Sequence, residues 1–223
     1  MIRRGPTADQ HVEHLFAYYN QLYFVDRRFF PPRHDGRTSF DWYDSFSGAR
    51  SSQKSIAFEK GSILFNIGVL YAQKGARRNR RTVSGLEASA TDFRLSSGVF
   101  RFLRDNFQHA PSEDMQAPVV NVLVQLTLSQ ARECVLQQLL LDRSPGGATD
   151  QQNDLLRYVE LAQECSTLAA SHSELITVMS TTPLQTRLPL VWEELMRCKR
   201  GYYSSLAHYN IALALLDVVR RRR

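Results

Sequence analysis

The chain has 223 residues, of which 43% are hydrophobic and 22% charged, and its formal net charge is +6. This apolar fraction can form a core, which argues against wholesale disorder. The sequence has no run of about 18 apolar residues, so no transmembrane helix is predicted. The N-terminus also lacks the apolar segment of a signal peptide. Composition therefore favours a folded domain with a basic surface.

The first predicted element is a helix from about Asp9 to Phe24, with Asp9 as its N-cap. Its apolar side chains recur at helical spacing, namely Val12, Leu15, Phe16, Tyr19 and Leu22. Two prolines and a glycine in "FFPPRHDGR" end this helix. The aromatic-rich stretch "SFDWYDSFSGARSS" that follows is predicted to be a mostly irregular connection.

A second helix is predicted from about Ser52 to Gln73, although it contains glycines. A mid-helix glycine costs about 1 kcal/mol relative to alanine, so Gly61 and Gly68 need an explanation. Their spacing places them on one face with small neighbours, and we predict that another helix crosses closely there. Asn66 is predicted to be a buried amide with a partner across this groove, and the alternative is part of a ligand site.

The third predicted helix, from Ser84 to Phe107, is the expected crossing partner. Its apolar seam resembles a heptad repeat and comprises Leu86, Ala90, Phe93, Ser97, Phe100, Leu103 and Phe107. Gly75 is a predicted C-cap of the second helix, and Thr82 or Ser84 a predicted N-cap of the third. The two helices therefore form a predicted antiparallel hairpin.

Three further helices are predicted, separated by "DRSPGGATD" and "STTPLQTRLP". The fourth, from Ser112 or Met115 to Leu141, is apolar nearly all round in its first half, which indicates burial between neighbours. The fifth spans about Asp150 to Met179, with a predicted seam of Leu155, Val159, Ala162, Ser166 and Ala169. The sixth spans about Leu190 to Arg222, with a predicted face of Val191, Leu195, Cys198, Tyr202, Leu206, Tyr209, Leu213 and Leu216.

Strand signals are almost absent, so the predicted fold class is all-α. Long antiparallel helices joined by short loops indicate an elongated array with a tetratricopeptide-like core. We treat residues 1–223 as a single domain. No strict 34-residue repeat signature is present.

Catalytic and metal-binding patterns were sought along the whole sequence. It contains no phosphate loop, no G-x-S-x-G elbow and no H-E-x-x-H motif, so no enzyme and no cofactor are predicted. His11 and His14 share a helical face without a suggested third ligand, so a surface pair is expected there. Cys134, Cys165 and Cys198 lie on or beside apolar stripes and are predicted to be buried thiols. Glu133, Glu160 and Glu164 are predicted on solvated helix faces.

Two arginine clusters account for much of the positive charge. The first comprises Arg77, Arg78, Arg80 and Arg81, and the second is the run from Arg220 to Arg223. Such clusters can bind an anionic membrane or an acidic partner. No aromatic residues are interleaved with them as a base-stacking surface requires, so nucleic acid is not an expected partner. A solvated loop and an exposed helix end are the preferred explanation of the two clusters.

Several segments occur together in the order typical of one family. They are "FDWYDSFSG", "AFEKGSILFNIGVLYAQKGA", "ATDFRLSSGVFRFLRDNF" and "QLTLSQARECVLQQLLLD". With these segments the chain resembles the Bro-one domain, the helical domain of Alix, of the His-domain tyrosine phosphatase and of the rhophilins. The stretches "YYNQLYFVDRRFFPPR" and "SLAHYNIALALLD" are more similar to those of the rhophilins. The resemblance covers about Tyr18 to Asp217.

This resemblance implies a helical core with strands at its N-terminal end. A full Bro-one domain is longer at both ends, so the chain is expected to be a partial domain, a short isoform or an incomplete gene model. The family also implies a groove that binds the C-terminal amphipathic helix of ESCRT-III subunits. Its contact positions correspond to Val135, Arg157 or Tyr158, and Leu161, and an acidic position corresponds to Val83. Arg157 and Val83 depart from the family pattern, and simple core packing is the preferred alternative for Val135 and Leu161.

The resemblance therefore leaves two main functions open. One is a non-enzymatic scaffold in Rho GTPase and cytoskeletal signalling, and the other is an ESCRT-III-binding adaptor in endosomal sorting. Rho binding in rhophilins belongs to a coiled coil that is not visible in this sequence. The expected partners are amphipathic helices, bound weakly, and the basic clusters add an anionic membrane surface as a third possibility. The expected location is the cytoplasm, peripheral at endosomes or the cytoskeleton.

Overall fold

The computed structural model of this chain describes residues 8–29, 38–107, 112–141, 151–181 and 188–221. Over these residues the chain forms six α-helices and one small sheet, which confirms the all-α fold class. The elements are α1 (Ala8–Phe29), β1 (Phe40–Tyr43), β2 (Arg50–Gln53), α2 (Ile56–Arg77), α3 (Val83–Asn106), α4 (Ala117–Leu141), α5 (Gln151–Thr181) and α6 (Leu190–Arg221). A short 3-10 turn, Glu113–Met115, precedes α4.

Of the predicted helix caps, two are wrong and one is correct. Asp9 lies inside the first turn of α1 rather than at its N-cap, and its carboxylate pairs with Lys74 on α2. Gly75 is not a C-cap, because α2 continues to Arg77. Thr82 does cap α3, since its hydroxyl oxygen accepts a hydrogen bond from the N–H of Gly85 at 3.2 Å.

The connection after α1 is a hairpin rather than irregular chain. Strands β1 and β2 pair antiparallel, with Phe40 opposite Gln53 and Tyr43 opposite Arg50. Gly48 adopts a positive φ of 69° in the turn between the strands, a conformation that favours glycine. The residue pattern missed this hairpin because β2, "RSSQ", carries none of the aromatic or β-branched residues that mark strands.

The described residues divide into two compact units. The first consists of residues in the ranges 1–77 and 91–127, and the second of residues in the ranges 78–90 and 128–223. Each unit has its own apolar core. In the described part of the chain, no helix is long and apolar enough to cross a membrane.

The core of the first unit is built largely from α2 and α3. Ile67, Phe100 and Leu103 are almost completely buried in it. The ring of Phe65 makes edge-to-face contacts with Trp42 from the hairpin and with Phe100, at centroid distances of 5.4 and 5.6 Å. The hairpin is therefore packed onto this core.

Three glycines of α2 lie against three phenylalanines, two in α3 and one directly after its last residue. A Cβ atom on Gly68 would lie 2.7 Å from Phe100, one on Gly75 would lie 3.1 Å from Phe93, and one on Gly61 would lie 3.4 Å from Phe107. The glycines are seven residues apart, and so are the phenylalanines in the opposite direction. The rings of Phe100 and Phe93 occupy space that a side chain on α2 would fill, which is the close crossing that the spacing predicts.

The prediction for Asn66 is wrong, because this residue is exposed. Asn66 lies seven residues from both Glu59 and Gln73, so the three residues share one polar stripe of α2. It is two positions from Gly68, which places it on the far side of the helix. The buried polar contact across the crossing comes from α3 instead, where the Ser96 hydroxyl donates to the Gly68 carbonyl oxygen at 2.7 Å.

The second unit contains α5, α6 and the last part of α4. Leu136 from α4, Leu161, Cys165 and Leu168 from α5, and Tyr203 from α6 form its buried cluster. The predicted seam of α5 is only partly correct, because Val159 and Ser166 are exposed while Leu161 and Cys165 are buried.

The predicted apolar face of α6 is also not its buried face. The buried line runs through Met196, Tyr203 and Asn210, each one residue beyond Leu195, Tyr202 and Tyr209. A shift of one residue turns a helix face by about 100°. Cys198 is consequently exposed, against its prediction as a buried thiol, whereas Cys134 and Cys165 are buried.

Candidate protein-interaction site

The four predicted groove residues lie on α4 and α5 within the second unit. Val135 and Tyr158 are half-buried, and the side chain of Leu161 is only 6% exposed. Leu161 packs with Leu136 and Cys165 in the core of this unit. It therefore stabilises the fold from within and is not an exposed anchor for a docking helix.

Arg157 is the most informative of the four residues. Its guanidinium donates a hydrogen bond to the carbonyl oxygen of Leu139, at 3.0 Å. Leu139 lies in the last turn of α4, where carbonyl groups have no partner within the helix. A cation at this end is also favoured by the helix dipole. Arg157 is half-buried and holds the end of α4 against α5.

Val83 and the basic cluster lie elsewhere on the chain. Val83 is the first residue of α3 and is 38% exposed. Arg77 ends α2 and belongs to the first unit, whereas Arg78, Arg80 and Arg81 belong to the second. Arg77, Arg78 and Arg81 are exposed, and Arg80 is half-buried. Near the end of α6, Arg221 pairs with Asp217 at 2.6 Å.

A buried charged cluster in the second unit was missed by the sequence reasoning. Glu133, predicted on a solvated face, is 4% exposed. Its carboxylate oxygens each accept a hydrogen bond from Lys199 Nζ at 2.7 Å, and one of them lies 3.1 Å from His172 Nε2. Glu133 lies on α4, His172 on α5 and Lys199 on α6, so the cluster joins all three helices.

His172 lies between two oxygen atoms within the second unit. Its Nδ1 lies 2.7 Å from the carbonyl oxygen of Leu168, and its Nε2 faces the carboxylate of Glu133. Each ring nitrogen of His172 therefore has an oxygen atom within hydrogen-bond distance. Burial alone would raise the pKa of Glu133, but the hydrogen bonds and charges of His172 and Lys199 hold it below its usual value.

The signal for this cluster was weak in the sequence. Glu133 stands between the buried residues Ala131 and Cys134, and it is directly adjacent to Cys134. Glu133 nevertheless has a polar neighbour, Arg132, that suggests a solvated face. Only its tertiary contacts with His172 and Lys199 show that Glu133 is buried rather than solvated.

A second buried polar network lies in the first unit. The carboxylate of Asp114 is fully buried and accepts hydrogen bonds from Trp42 Nε1 at 3.1 Å and from the Ser45 backbone N–H at 2.8 Å. The carboxylate of Asp44 accepts from the Asp114 N–H at 3.0 Å and from the Ser112 hydroxyl at 3.1 Å. This network ties the hairpin to the turn before α4.

These observations define a helical domain with structural polar clusters inside it. Two comparisons identify its family. The chain matches the BRO1-like domain family over residues 1–219, and it therefore belongs to that family. It is 43% identical to human Rhophilin-1 and 40% identical to mouse Rhophilin-2, each over 96% of its length. It spans about 31% and 30% of the length of those two relatives.

Solved structures show the same fold at lower sequence identity. The ALIX BRO1 domain in complex with CHMP4C superposes with a TM-score of 0.80 at 19% identity, over 99% of this chain and 60% of that one. The Bro1 domain described as a basis for endosomal targeting superposes with a TM-score of 0.81 at 22% identity, over 97% of this chain and 58% of that one. The resemblance to the Bro-one family is thus confirmed.

Proposed function

We propose that this chain is a non-enzymatic scaffold domain of a rhophilin-like adaptor in Rho GTPase and cytoskeletal signalling. The observation that carries the proposal is the 43% identity to Rhophilin-1 over nearly the whole chain, against 19% to the ALIX domain. A scaffold domain needs a stable fold and an accessible surface, and it needs no reactive group. The proposed location is the cytoplasm, at the cytoskeleton.

The α4–α5 surface of the second unit supports the same assignment. A docking amphipathic helix needs leucine-like anchors to enter a continuous apolar groove. Here Leu161 is already packed in the core, and Arg157 is bonded to the end of α4. A helix that docked over Arg157 would desolvate its charge. The free-energy cost of that desolvation would have to be offset by the apolar contacts of the docked helix. We therefore propose weak or no binding of ESCRT-III helices.

The second candidate is an ESCRT-III-binding adaptor at endosomes. The observation that favours it is the TM-score of 0.80 to a domain solved with CHMP4C. At 19% identity this likeness concerns the fold alone, so the contact residues must be compared separately. Val135 and Tyr158, both half-buried, are compatible with a reduced groove of this kind.

A binding experiment separates the two proposals. The purified chain is immobilised and offered an ESCRT-III C-terminal helix peptide, GTP-loaded Rho and GDP-loaded Rho in parallel. Preferential retention of GTP-loaded Rho would assign Rho recognition to this chain itself. Tight retention of the peptide alone would favour the endosomal function. No residue of this chain is assigned to Rho binding. Weak retention of both forms of Rho would indicate that other modules of rhophilins make the Rho contact.

The arginine cluster from Arg77 to Arg81 is a further proposed contact with anionic membranes. Sedimentation with phosphatidylserine vesicles, at about 0.05 and 0.5 M salt, tests this contact, because screening weakens surface attraction at high salt. Binding that survives high salt would argue against an electrostatic surface.

A further inference from the structure

Ser84 is an exposed serine that follows the arginine cluster directly. It is the second residue of α3, and Arg81, Thr82 and Val83 before it are exposed as well. Arg81 precedes Ser84 by three residues and Arg80 precedes it by four. Among the residues that the structure describes, the Ser84 hydroxyl has no hydrogen-bond partner. The proposed membrane contact uses the arginines and gives this hydroxyl no role.

An arginine three residues before a serine is a recognition feature for one class of enzyme. Many serine kinases select their substrates by charge, pairing acidic groups beside the substrate cleft with arginines that precede the acceptor hydroxyl. In the described part of the chain, two serines follow an arginine at this distance, Ser84 after Arg81 and Ser97 after Arg94. Ser97 is only 8% exposed and donates to the carbonyl oxygen of Val124 at 3.2 Å. Ser84 therefore combines the spacing with exposure, and Ser97 does not.

The first turn of α3 can open to present Ser84. Thr82 holds this turn, because its hydroxyl oxygen accepts from the Gly85 N–H at 3.2 Å and its carbonyl oxygen accepts from the Leu86 N–H at 3.0 Å. Leu86 is fully buried and anchors the helix directly after these residues. Helix ends open locally at a lower free-energy cost than helix interiors. A kinase can therefore reach Ser84 while Leu86 keeps the rest of α3 in place.

Thr82 is a poorer acceptor than Ser84, although it lies in the same segment. Its hydroxyl donates to the carbonyl oxygen of Asn79 at 3.3 Å and also caps α3 through Gly85. The residue three positions before Thr82 is Asn79 and not an arginine. Both the contacts and the spacing therefore favour Ser84.

A phosphate on Ser84 would lie where negative charge is favoured. The N–H groups of the first turn of a helix have no partners within the helix, and this end of the helix dipole attracts anions. Arg78, Arg80 and Arg81 precede Ser84 within the second unit. A phosphate carries a charge of about −2 at neutral pH, so it would cancel much of their positive charge. Glu87, three residues further along α3, is a single opposing charge.

We propose that Ser84 is phosphorylated by an arginine-directed serine kinase, and that its phosphate weakens the contact of the arginine cluster with anionic membranes. In this step Ser84 Oγ attacks the γ-phosphorus of ATP, the bond from that phosphorus to the bridging oxygen breaks, and ADP leaves. The hydroxyl proton passes to a base of the kinase. The second part of the proposal rests on the membrane contact proposed above, and the first part does not.

Phosphate incorporation tests the site itself. The purified chain is incubated with ATP and a serine kinase of the calmodulin-dependent class, which selects an arginine three residues before the acceptor. Intact mass and peptide mapping should then find one phosphate, on Ser84. Ser84→Ala should abolish incorporation. Ser173→Ala is the matched control, because Ser173 is an exposed helical serine without such an arginine, and this variant should incorporate phosphate as the parent does.

Three further substitutions test how the kinase recognises the site. Arg81→Gln should lower the rate of phosphorylation by about tenfold or more, because it removes the charge that the kinase selects. Arg78→Gln changes an arginine of the same cluster six residues before the acceptor, and it should alter the rate by about twofold at most. Thr82→Ala removes the cap of α3 and should raise the rate, since the first turn then opens more easily.

Vesicle sedimentation tests the effect on membrane binding. The unmodified and phosphorylated chains are mixed with phosphatidylserine vesicles at about 0.05 M salt. The phosphorylated chain should bind about tenfold more weakly or less, because basic residues near an anionic surface supply the attraction. Ser84→Ala, treated with the same kinase, should bind as the unmodified chain does. Equal binding of the unmodified and phosphorylated chains would overturn the effect on membrane binding.

The two parts of the proposal fail in different ways. If the unmodified chain does not bind vesicles, the membrane contact and its regulation are both wrong, while a phosphate on Ser84 would still support the site. The site is overturned by a phosphate on Thr82, by equal rates for Arg81→Gln and Arg78→Gln, or by a chain that remains unmodified. A peptide of residues 77–88, treated in parallel, confirms that the kinase accepts this sequence.

Discussion

The ring of Phe100 on α3 lies directly on the backbone of Gly68 on α2. A Cβ atom at position 68 would lie only 2.7 Å from Cε1 of that ring, closer than side-chain atoms approach in folded proteins. Phe100 is 2% exposed and is held by Phe65, so its ring has little room to move away. Gly68 therefore lowers the helix propensity of α2, but it allows α2 and α3 to cross closely.

Gly68→Ala is expected to destabilise the first unit by about 1–3 kcal/mol, because the added methyl group overpacks the crossing. Gly61→Ala is the matched control, since a Cβ atom there would make an ordinary contact at 3.4 Å. The control should be neutral or stabilising by up to about 1 kcal/mol, the difference in helix propensity. Urea unfolding followed by circular dichroism measures both variants. Equal effects of the two substitutions would contradict this explanation.

Asp44 is expected to make stability depend on pH in the acidic range. Burial alone would raise its pKa, but N–H groups of Ser47, Phe46 and Asp114 donate to the carboxylate and lower it to about 2. Because the folded pKa lies below the unfolded value of 3.8, the carboxylate stabilises the fold above pH 4, and this contribution is lost as the pH falls towards 2.

The variant Asp44→Asn tests that expectation. It should be less stable at pH 7 by about 1–3 kcal/mol, because buried N–H groups lose a charged acceptor. The gap between variant and parent should narrow as the pH is lowered from 4 to 2. Thermal unfolding at several pH values measures the gap, and a constant gap would show that the carboxylate charge plays no part.

Glu133→Gln should destabilise the second unit more than any exposed carboxylate change does. It leaves His172 and Lys199 without their anion, and breaking a buried ion pair from one side costs about 3–5 kcal/mol. The lowered pKa of Glu133 means that its stabilisation is present near neutral pH and is lost as the pH falls through the folded pKa. Glu160→Gln, at an exposed position on the neighbouring α5, serves as the control. Similar urea midpoints for the two variants would argue against a charged cluster.

Arg157→Ile is expected to strengthen binding of an ESCRT-III C-terminal peptide by tenfold or more, about 1.4 kcal/mol. The substitution removes a charge that a docking helix would have to desolvate. Arg132→Ile is the matched control, because Arg132 is an exposed arginine on α4 that donates to Ser171 at 2.6 Å. Calorimetric titration of the parent and both variants measures the difference.

Two results of that titration would favour the endosomal function instead. One is tight binding by the unmodified chain, and the other is equal affinity of the parent and Arg157→Ile. Because Arg157 also bonds to the end of α4, thermal unfolding must first confirm that Arg157→Ile is folded.

The six helices followed from the sequence, because proline and glycine breaks and long runs of helical periodicity are local properties. The seam of α3 was predicted correctly through Leu86, Phe93 and Phe100, since these apolar residues recur every seven positions and all three are buried. The hairpin was not predicted from the pattern, because four-residue strands depend on their partner and on the network of Asp44 and Asp114. The family resemblance supplied the strands that the pattern lacked.

Tertiary structure alone decided which face of α6 is buried. The lines through Leu195, Tyr202 and Tyr209 and through Met196, Tyr203 and Asn210 differ by one residue, and periodicity favoured the more apolar first line. The structure buries the second line, where Tyr203 stacks on His172 at 5.5 Å and the nearby Lys199 reaches Glu133. Those contacts join residues 31 and 66 positions apart in the sequence, so local periodicity contains no information about them.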